Sequence, residues 1–448
     1  MLLRGTMAID EKGHLVIGGC DTIELARRYG TPLYVLDEAA LRQRASEYHQ
    51  AFTQYLPGSE IIYAGKALLT TAICRIMDEE ALALDVVSGG ELYTALAAAF
   101  PTERIYFHGN NKSVQELTLA LEHGVGRIVV DNLCELKLLQ KLAASLDLVA
   151  DILIRITPGV EAHTHSYIQT GQFDSKFGFP LGAPETLKAI ECAKEMPNVR
   201  LWGLHCHIGS QIFGLESFAA AAAIMVEFLA ALKDTLGLEL RELDLGGGLG
   251  IRYHSGDCPP TPWEYAQVLS EAVNAACAKA GFPVPKIMVE PGRSMVGEAG
   301  TTLYTVGSIK DIANIRRYVA VDGGMADNPR VTLYQAVYEA CLANKASQTP
   351  TELVTIAGKC CESGDMLIKE IMLPPVEPGD ILAVFATGAY NYSMASNYNH
   401  LPRPAMVTVY HGTSEVIVER ETYGDLIRLD RVPPRLAVSH QAVAGKLT

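Results

Sequence analysis

No run in this chain approaches the roughly 18 consecutive apolar residues of a membrane-spanning helix, although 49% of its 448 residues are hydrophobic. The opening residues, MLLRGTMAIDEKG, hold no apolar core of signal-peptide length. Basic residues are in deficit, with 37 Lys+Arg against 51 Asp+Glu and a formal net charge of -14. Such a surface repels phosphate backbones and anionic lipid, which argues against nucleic-acid and membrane partners. The cysteines form no C-x-x-C pair and no compact secreted spacing, so reduced thiols are expected. These absences together lead us to expect a soluble, cytoplasmic protein.

What is present is apolar material in excess of what one core usually takes, so two domains are expected. Short β-branched runs alternate with Ala- and Leu-rich stretches of helical spacing, such as Gly90 to Phe100 and Glu216 to Leu236. This rhythm argues for βα units on a parallel sheet. Eight strands are expected: Ile61 to Ala64, Leu84 to Val87, Ile105 to Phe107, Arg127 to Val130, Asp151 to Ile156, Leu201 to Leu204, Leu243 to Leu245 and Ile287 to Val289. Eight suggests an α/β fold closed as a (β/α)₈ TIM-type barrel over residues 36–305. From about Val306 the texture changes to short apolar runs with Gly and Pro turns, which reads as a second, all-β domain over 306–448. Residues 1–35 are expected to pair with that domain.

The expected strands run into Lys66, Ser88, His108, Asp131, Thr157, His205 with His207, Gly246-Gly247-Gly248, and Glu290. In a (β/α)₈ barrel the loops after the strands carry the chemistry, because the interior is filled with side chains. A lone lysine there would mark only the chain leaving the core; its company gives it weight. Consecutive glycines in LDLGGGLG let backbone N–H groups approach an anion, though a crowded barrel corner explains them equally well. Neither P-loop nor dinucleotide spacing is present. HCHIGSQ supplies His205 and His207 at alternate positions of an extended chain. Zinc is the rival reading for them and needs a third ligand, which the HTH of His163 and His165 could supply. A lysine, an anion cradle, an imidazole and an acid match the needs of pyridoxal 5'-phosphate better.

The motifs YAGKAL, LDVVSGGEL, FHGNNKS, DSKFGF, HCHIGSQ, DLGGGLG, EPGRS, DNPRVTLYQA, CCESGD and TGAYNYSMASNYN occur in this order across nearly the whole chain. In them the sequence resembles the barrel-type (fold type III) pyridoxal-phosphate decarboxylases of basic amino acids, and among these the branch acting on diaminopimelate. The resemblance implies that Lys66 carries the cofactor covalently, His207 stacks on its ring and Glu290 pairs with its pyridine nitrogen. It places Asp85, Ser210, Gly246, Gly247, Gly248, Pro291, Gly292, Arg293 and Tyr390 around the cofactor, several of them at the phosphate.

For the substrate, the resemblance assigns Arg293, Arg330, Tyr334 and Tyr390 to binding, the arginines reading a distal carboxylate. Cys361 is implied as the proton donor and Glu362 as the reader of the distal ammonium, both reaching the site from the partner subunit of a homodimer. Relatives acting on ornithine or arginine typically have an aspartate after that cysteine, so Glu362 sides with meso-diaminopimelate, giving L-lysine and carbon dioxide in the last step of lysine synthesis. Small departures are His400 and Leu401 in NYNHLPRPAM, and PRVTLY for the commoner PRPALY. Alternative readings are a related decarboxylase of another substrate, a racemase-like activity, which Glu290 disfavours, and a non-catalytic homologue. No metal role is expected, and His163 and His165 receive no assignment.

Overall fold

The computed structural model describes residues 3–160 and 175–436; His163 and His165 lie outside the described residues. Eight parallel strands close a barrel in the order Glu60–Ala64, Ala83–Val86, Ile105–Phe107, Arg127–Val130, Ala150–Thr157, Val199–His205, Glu242–Asp244 and Lys286–Val289. The last pairs with the first through Met288 to Glu60 and Val289 to Ile61. All eight expected strands are present: Ile105–Phe107 and Arg127–Val130 have the expected bounds, and the ends of the others differ by no more than two residues.

Strand alternation explains both the core and the site. Ile61, Tyr63, Leu84 and Phe107 face the helices and join the large cluster packed between strands and helices. Their neighbours Ile62, Ala83, Tyr106, Val129, Leu153 and Met288 form a separate small cluster inside the barrel. Two positions further along these strands stand Ala64, Asp85, His108, Asp131, Arg155 and Glu290, and the same period sets His205 and Asp244 on the inward side. An apolar plug is therefore roofed by a polar layer at the carboxyl ends.

Each crossover helix begins beside that layer. Thr70, Ser88 and Asn132 cap helices Thr71–Glu79, Gly89–Ala97 and Leu133–Ser145 by accepting backbone N–H bonds, and Ser113 with Glu116 forms a capping box. Such a cap contributes about 1 kcal/mol by satisfying a backbone N–H group that the first turn leaves free. The helix Glu216–Leu236 has the bounds expected from its spacing and ends on Gly237 at φ 63°.

The second unit is built on the strand Gly300–Ile312, which runs unbroken across residues 305 and 306. It pairs with Leu33–Asp37, with Ile381–Phe385 and with Arg316–Val321. Leu33–Asp37 lies between it and Ala405–Tyr410, so a strand preceding the barrel is central to this sheet. The sheet has two cores, and one of them includes Ile251 and Tyr253 from the loop after the seventh barrel strand.

Candidate active site

Lys66 stands in the short turn Gly65–Ala67 directly after the first barrel strand. Two contacts pin this turn: the Tyr390 N–H donates to the Ala67 carbonyl at 2.8 Å, and the Ser393 hydroxyl donates to the same oxygen at 3.1 Å. Gly292 packs beneath it so closely that a Cβ there would meet the Ala64 Cβ at 2.9 Å. The Ala64 N–H also donates to the Pro291 carbonyl at 3.2 Å. Glu290, Pro291 and Gly292 are thereby held against the lysine turn.

The Lys66 ammonium donates to Asp85 Oδ2 at 3.0 Å. Burial works against the ammonium, but the Asp85 and Glu290 carboxylates outweigh it, and the net shift of its pKa is upward. Behind this pair lies a buried cluster of His108, His205, Asp244 and Glu290. His108 Nε2 is 2.9 Å and His205 Nε2 3.3 Å from Glu290 Oε1, yet neither contact has hydrogen-bond alignment.

Burial lowers the His205 pKa to about 3, so its ring is neutral. Burial also pushes Asp244 well above the usual carboxylate range, with the Glu290 charge adding to it. Burial opposes ionisation of Glu290 too, but the neighbouring His108 imidazole outweighs it, and this carboxyl is held low. Two adjacent buried carboxyls cannot both ionise; here Asp244 keeps the proton and Glu290 carries the charge. Three carboxyl oxygens, the acceptors Asp85 Oδ1 and Glu290 Oε1 and the Asp244 Oδ2, have no aligned hydrogen-bond partner among the described residues.

His207 lies beside the glycine loop, its Nδ1 accepting from the Gly247 N–H at 3.2 Å. Burial, with Lys66 and Arg155 nearby, holds it well below its ordinary value and so neutral. The glycines are required by crowding: a Cβ would meet Cys206 O at 2.5 Å from Gly246, Glu290 O at 2.1 Å from Gly247 and Gly209 O at 2.5 Å from Gly248. The corner reading of LDLGGGLG is thus correct for side-chain space, and it leaves the loop's backbone close to His207 and Glu290. At the other end Arg293 donates to the Ser210 hydroxyl at 3.0 Å and lies 4.8 Å over the Tyr390 ring. Tyr390 itself is held at φ 61°, a costly conformation for a tyrosine.

Arg293 and Arg330 come from different units, one from the barrel rim and one from the short helix Arg330–Tyr334. Both are buried, and with Tyr253 and Tyr334 they line one cavity of about 210 Å³. Cys361 and Glu362 do not join this group; both side chains are exposed, in a loop where the Cys361 N–H donates to Asn399 Oδ1 at 2.7 Å. The expected site residues thus fall into a cluster around Lys66 and a separate surface pair. Sequence reasoning assigned no role to His108, Arg155, Asp244 or Tyr253. Their signal was positional: three of them follow the inward period of barrel strands, and Tyr253 lies a few residues beyond the glycine loop.

A closed (β/α)₈ barrel with a β-rich second domain, and a lysine paired with a buried carboxylate at its carboxyl rim, is the architecture of the fold type III decarboxylases. Residues 39–297 match the pyridoxal-binding domain of the pyridoxal-dependent decarboxylases. The diaminopimelate decarboxylase of Bacillus subtilis (strain 168) is 54% identical over 430 residues, covering 96% of this chain and 98% of its own. That of Synechocystis sp. is 50% identical over 446 residues, covering 97% and 94%. The crystal structure of the M. jannaschii diaminopimelate decarboxylase in complex with L-lysine superposes with a TM-score of 0.91 at 38% identity, covering 98% of this chain and all of that one. The chain belongs to the pyridoxal-dependent decarboxylase family, and within it to the diaminopimelate decarboxylases.

Proposed function

We propose that this chain uses pyridoxal 5'-phosphate to remove the carboxylate at the D-centre of meso-2,6-diaminopimelate, yielding L-lysine and carbon dioxide. The observation that carries the reading is the joint placement of Lys66 against Asp85 and Glu290, with two buried arginines lining a nearby cavity. The unsatisfied buried acceptors fit the cofactor, since a protonated ring nitrogen would give Glu290 the aligned donor it lacks. When bound, the cofactor withdraws the electron pair left as the bond from α-carbon to carboxylate breaks.

The protein's own part is placement and charge. Lys66 supplies the amine that attaches the cofactor, and Asp85 holds that amine in position. Glu290 stays ionised beside His108 while buried Asp244 keeps its proton, so a full negative charge would face the ring nitrogen. His207, neutral and held by the Gly247 N–H, would cover one face of the cofactor ring. The backbone of Gly246 to Gly248, the Gly292 turn, Ser210 and Tyr390 form the anion end. Arg293 and Arg330, with Tyr334, pair with the carboxylate that the product retains.

Exposure of Cys361 and Glu362 supports a homodimer in which Cys361 of the partner subunit returns a proton to the α-carbon and Glu362 of the partner subunit reads the distal ammonium. The test is lysine release from meso-diaminopimelate by the cofactor-loaded protein, with ornithine, lysine and arginine as parallel substrates. Turnover of diaminopimelate alone, abolished in Lys66→Ala, is the expected result. Turnover of another substrate would overturn the account of the far end of the pocket; a fully active Lys66→Ala would overturn the chemistry.

A further inference from the structure

Among the described residues Arg293 and Arg330 touch no carboxylate; they are joined by an aromatic residue. The Arg293 Nη1 donates to the Tyr253 hydroxyl at 2.6 Å. The Arg330 guanidinium carbon lies 4.5 Å above the Tyr253 ring. The same ring packs edge-on against Tyr338 at 5.4 Å, whose hydroxyl accepts from Arg330 Nη1 at 2.7 Å. Two like charges are thus held by polar oxygens and a π face, with no anion among the described residues cancelling either. Arg330 Nε has no hydrogen-bond partner among the described residues.

Tyr253 is itself fixed at both ends of its backbone. Its N–H donates to Asp257 Oδ2 at 2.9 Å. Its carbonyl accepts from Arg4 Nη2 at 3.1 Å, while Arg4 Nη1 donates to the Arg252 carbonyl at 2.6 Å. Arg4 is buried and braced by Glu339 at 3.5 Å. An arginine near the start of the chain therefore sets the height of the loop that carries the ring.

We infer that Tyr253 is the positioning residue that sets the specificity for a carboxylate at the far end of the substrate: its hydroxyl orients Arg293, its ring holds Arg330, and Arg4 braces it from the amino-terminal segment. This deepens the proposed function and rests on it. A hydroxyl that accepts from a guanidinium is also a stronger donor, so Tyr253 adds a third polar hydrogen to the cavity that it lines. The recognised chemistry is an anionic carboxylate on a flexible aliphatic amine.

The probes are L-lysine and cadaverine, which share the aliphatic diamine and differ by the carboxylate. Equilibrium binding of each to the cofactor-loaded protein is measured for wild type, Tyr253→Phe, Tyr253→Leu and Arg4→Gln. Wild type is expected to prefer lysine. Tyr253→Phe, which keeps the ring, lowers that preference on the order of 10-fold and Tyr253→Leu further, with KM for diaminopimelate rising more than kcat falls. Arg4→Gln lowers the preference less than either. A lysine preference that survives in Tyr253→Phe overturns the role of the hydroxyl even if Tyr253→Leu fails to fold; one that survives both overturns the inference. No preference in wild type overturns the two-arginine reading of the substrate, and this inference with it.

Discussion

The Lys66 ammonium and the Asp85 carboxylate meet at 3.0 Å across the carboxyl ends of the first two barrel strands. Asp85 is fully buried, while about a third of the Lys66 side chain stays open. The amine proposed to carry the cofactor is thus reachable but anchored, and its charge is stabilised rather than suppressed.

Removing that anchor lowers the Lys66 pKa. In Asp85→Asn the burial that opposes the ammonium remains while its main compensation is lost. The pH midpoint for attachment of pyridoxal phosphate to the apoprotein, followed by absorbance, is expected to fall below that of wild type; an unchanged midpoint would contradict the pairing. The sign for stability follows from a folded value above the ordinary 10.5. The pair stabilises the apoprotein below about pH 10.5, and that contribution is lost as pH rises through the folded value.

His205 makes the protein sensitive to acid. Its folded value of about 3 lies below the ordinary 6.5, so the unfolded chain binds the proton across that window. Its contribution is complete above pH 6.5 and falls as pH drops, by about 1.4 kcal/mol per unit. Asp244, shifted upward, works in the opposite sense, so the comparison of variants reads His205. Denaturation of the apoprotein between pH 7.5 and 4.5 is expected to show a shallower acid loss in His205→Gln than in wild type.

Gly247→Ala tests the crowding of the glycine loop. Its Cβ would stand 2.1 Å from the Glu290 carbonyl oxygen, which is backbone and cannot swing away. A loss of about 1–3 kcal/mol in unfolding free energy, with weaker cofactor retention on dialysis, is the expected outcome. Gly307→Ala, where a Cβ would meet nothing nearer than the Ala320 carbonyl oxygen at 3.7 Å, supplies the control for crowding.

A shared site predicts complementation. Lys66→Ala and Cys361→Ala subunits, each inactive alone, are unfolded, mixed and refolded. Random pairing leaves about a quarter of all sites intact, so activity should return to roughly that fraction of wild type. No recovery in a mixture shown to contain hybrid dimers would place Cys361 outside the partner's site.

Much of the barrel was legible because its strands are short apolar runs buried on both faces, and such runs stand out between helical stretches. Lys66 and Glu290 were legible for the same reason, since each is a charge directly after a buried run. The hydrogen-bonding limits of the second unit were not legible. Gly300–Ile312 carries no turn residue at 305 or 306, and Leu33–Asp37 gives no local sign that its partners lie more than 250 residues away.

By itself the sequence determined the alternation that turns Asp85, His108, His205, Asp244 and Glu290 inward, because side-chain direction in a strand has a period of two. It also determined the glycines, which the local backbone demands. Only the tertiary structure decided which of these groups carries charge, because that depends on burial and on distances between residues that closing the barrel brings together. Asp244 keeps a proton because it is buried, with the Glu290 charge beside it, Lys66 keeps its charge because Asp85 is beside it, and Arg293 meets Arg330 across Tyr253 only where the two units join.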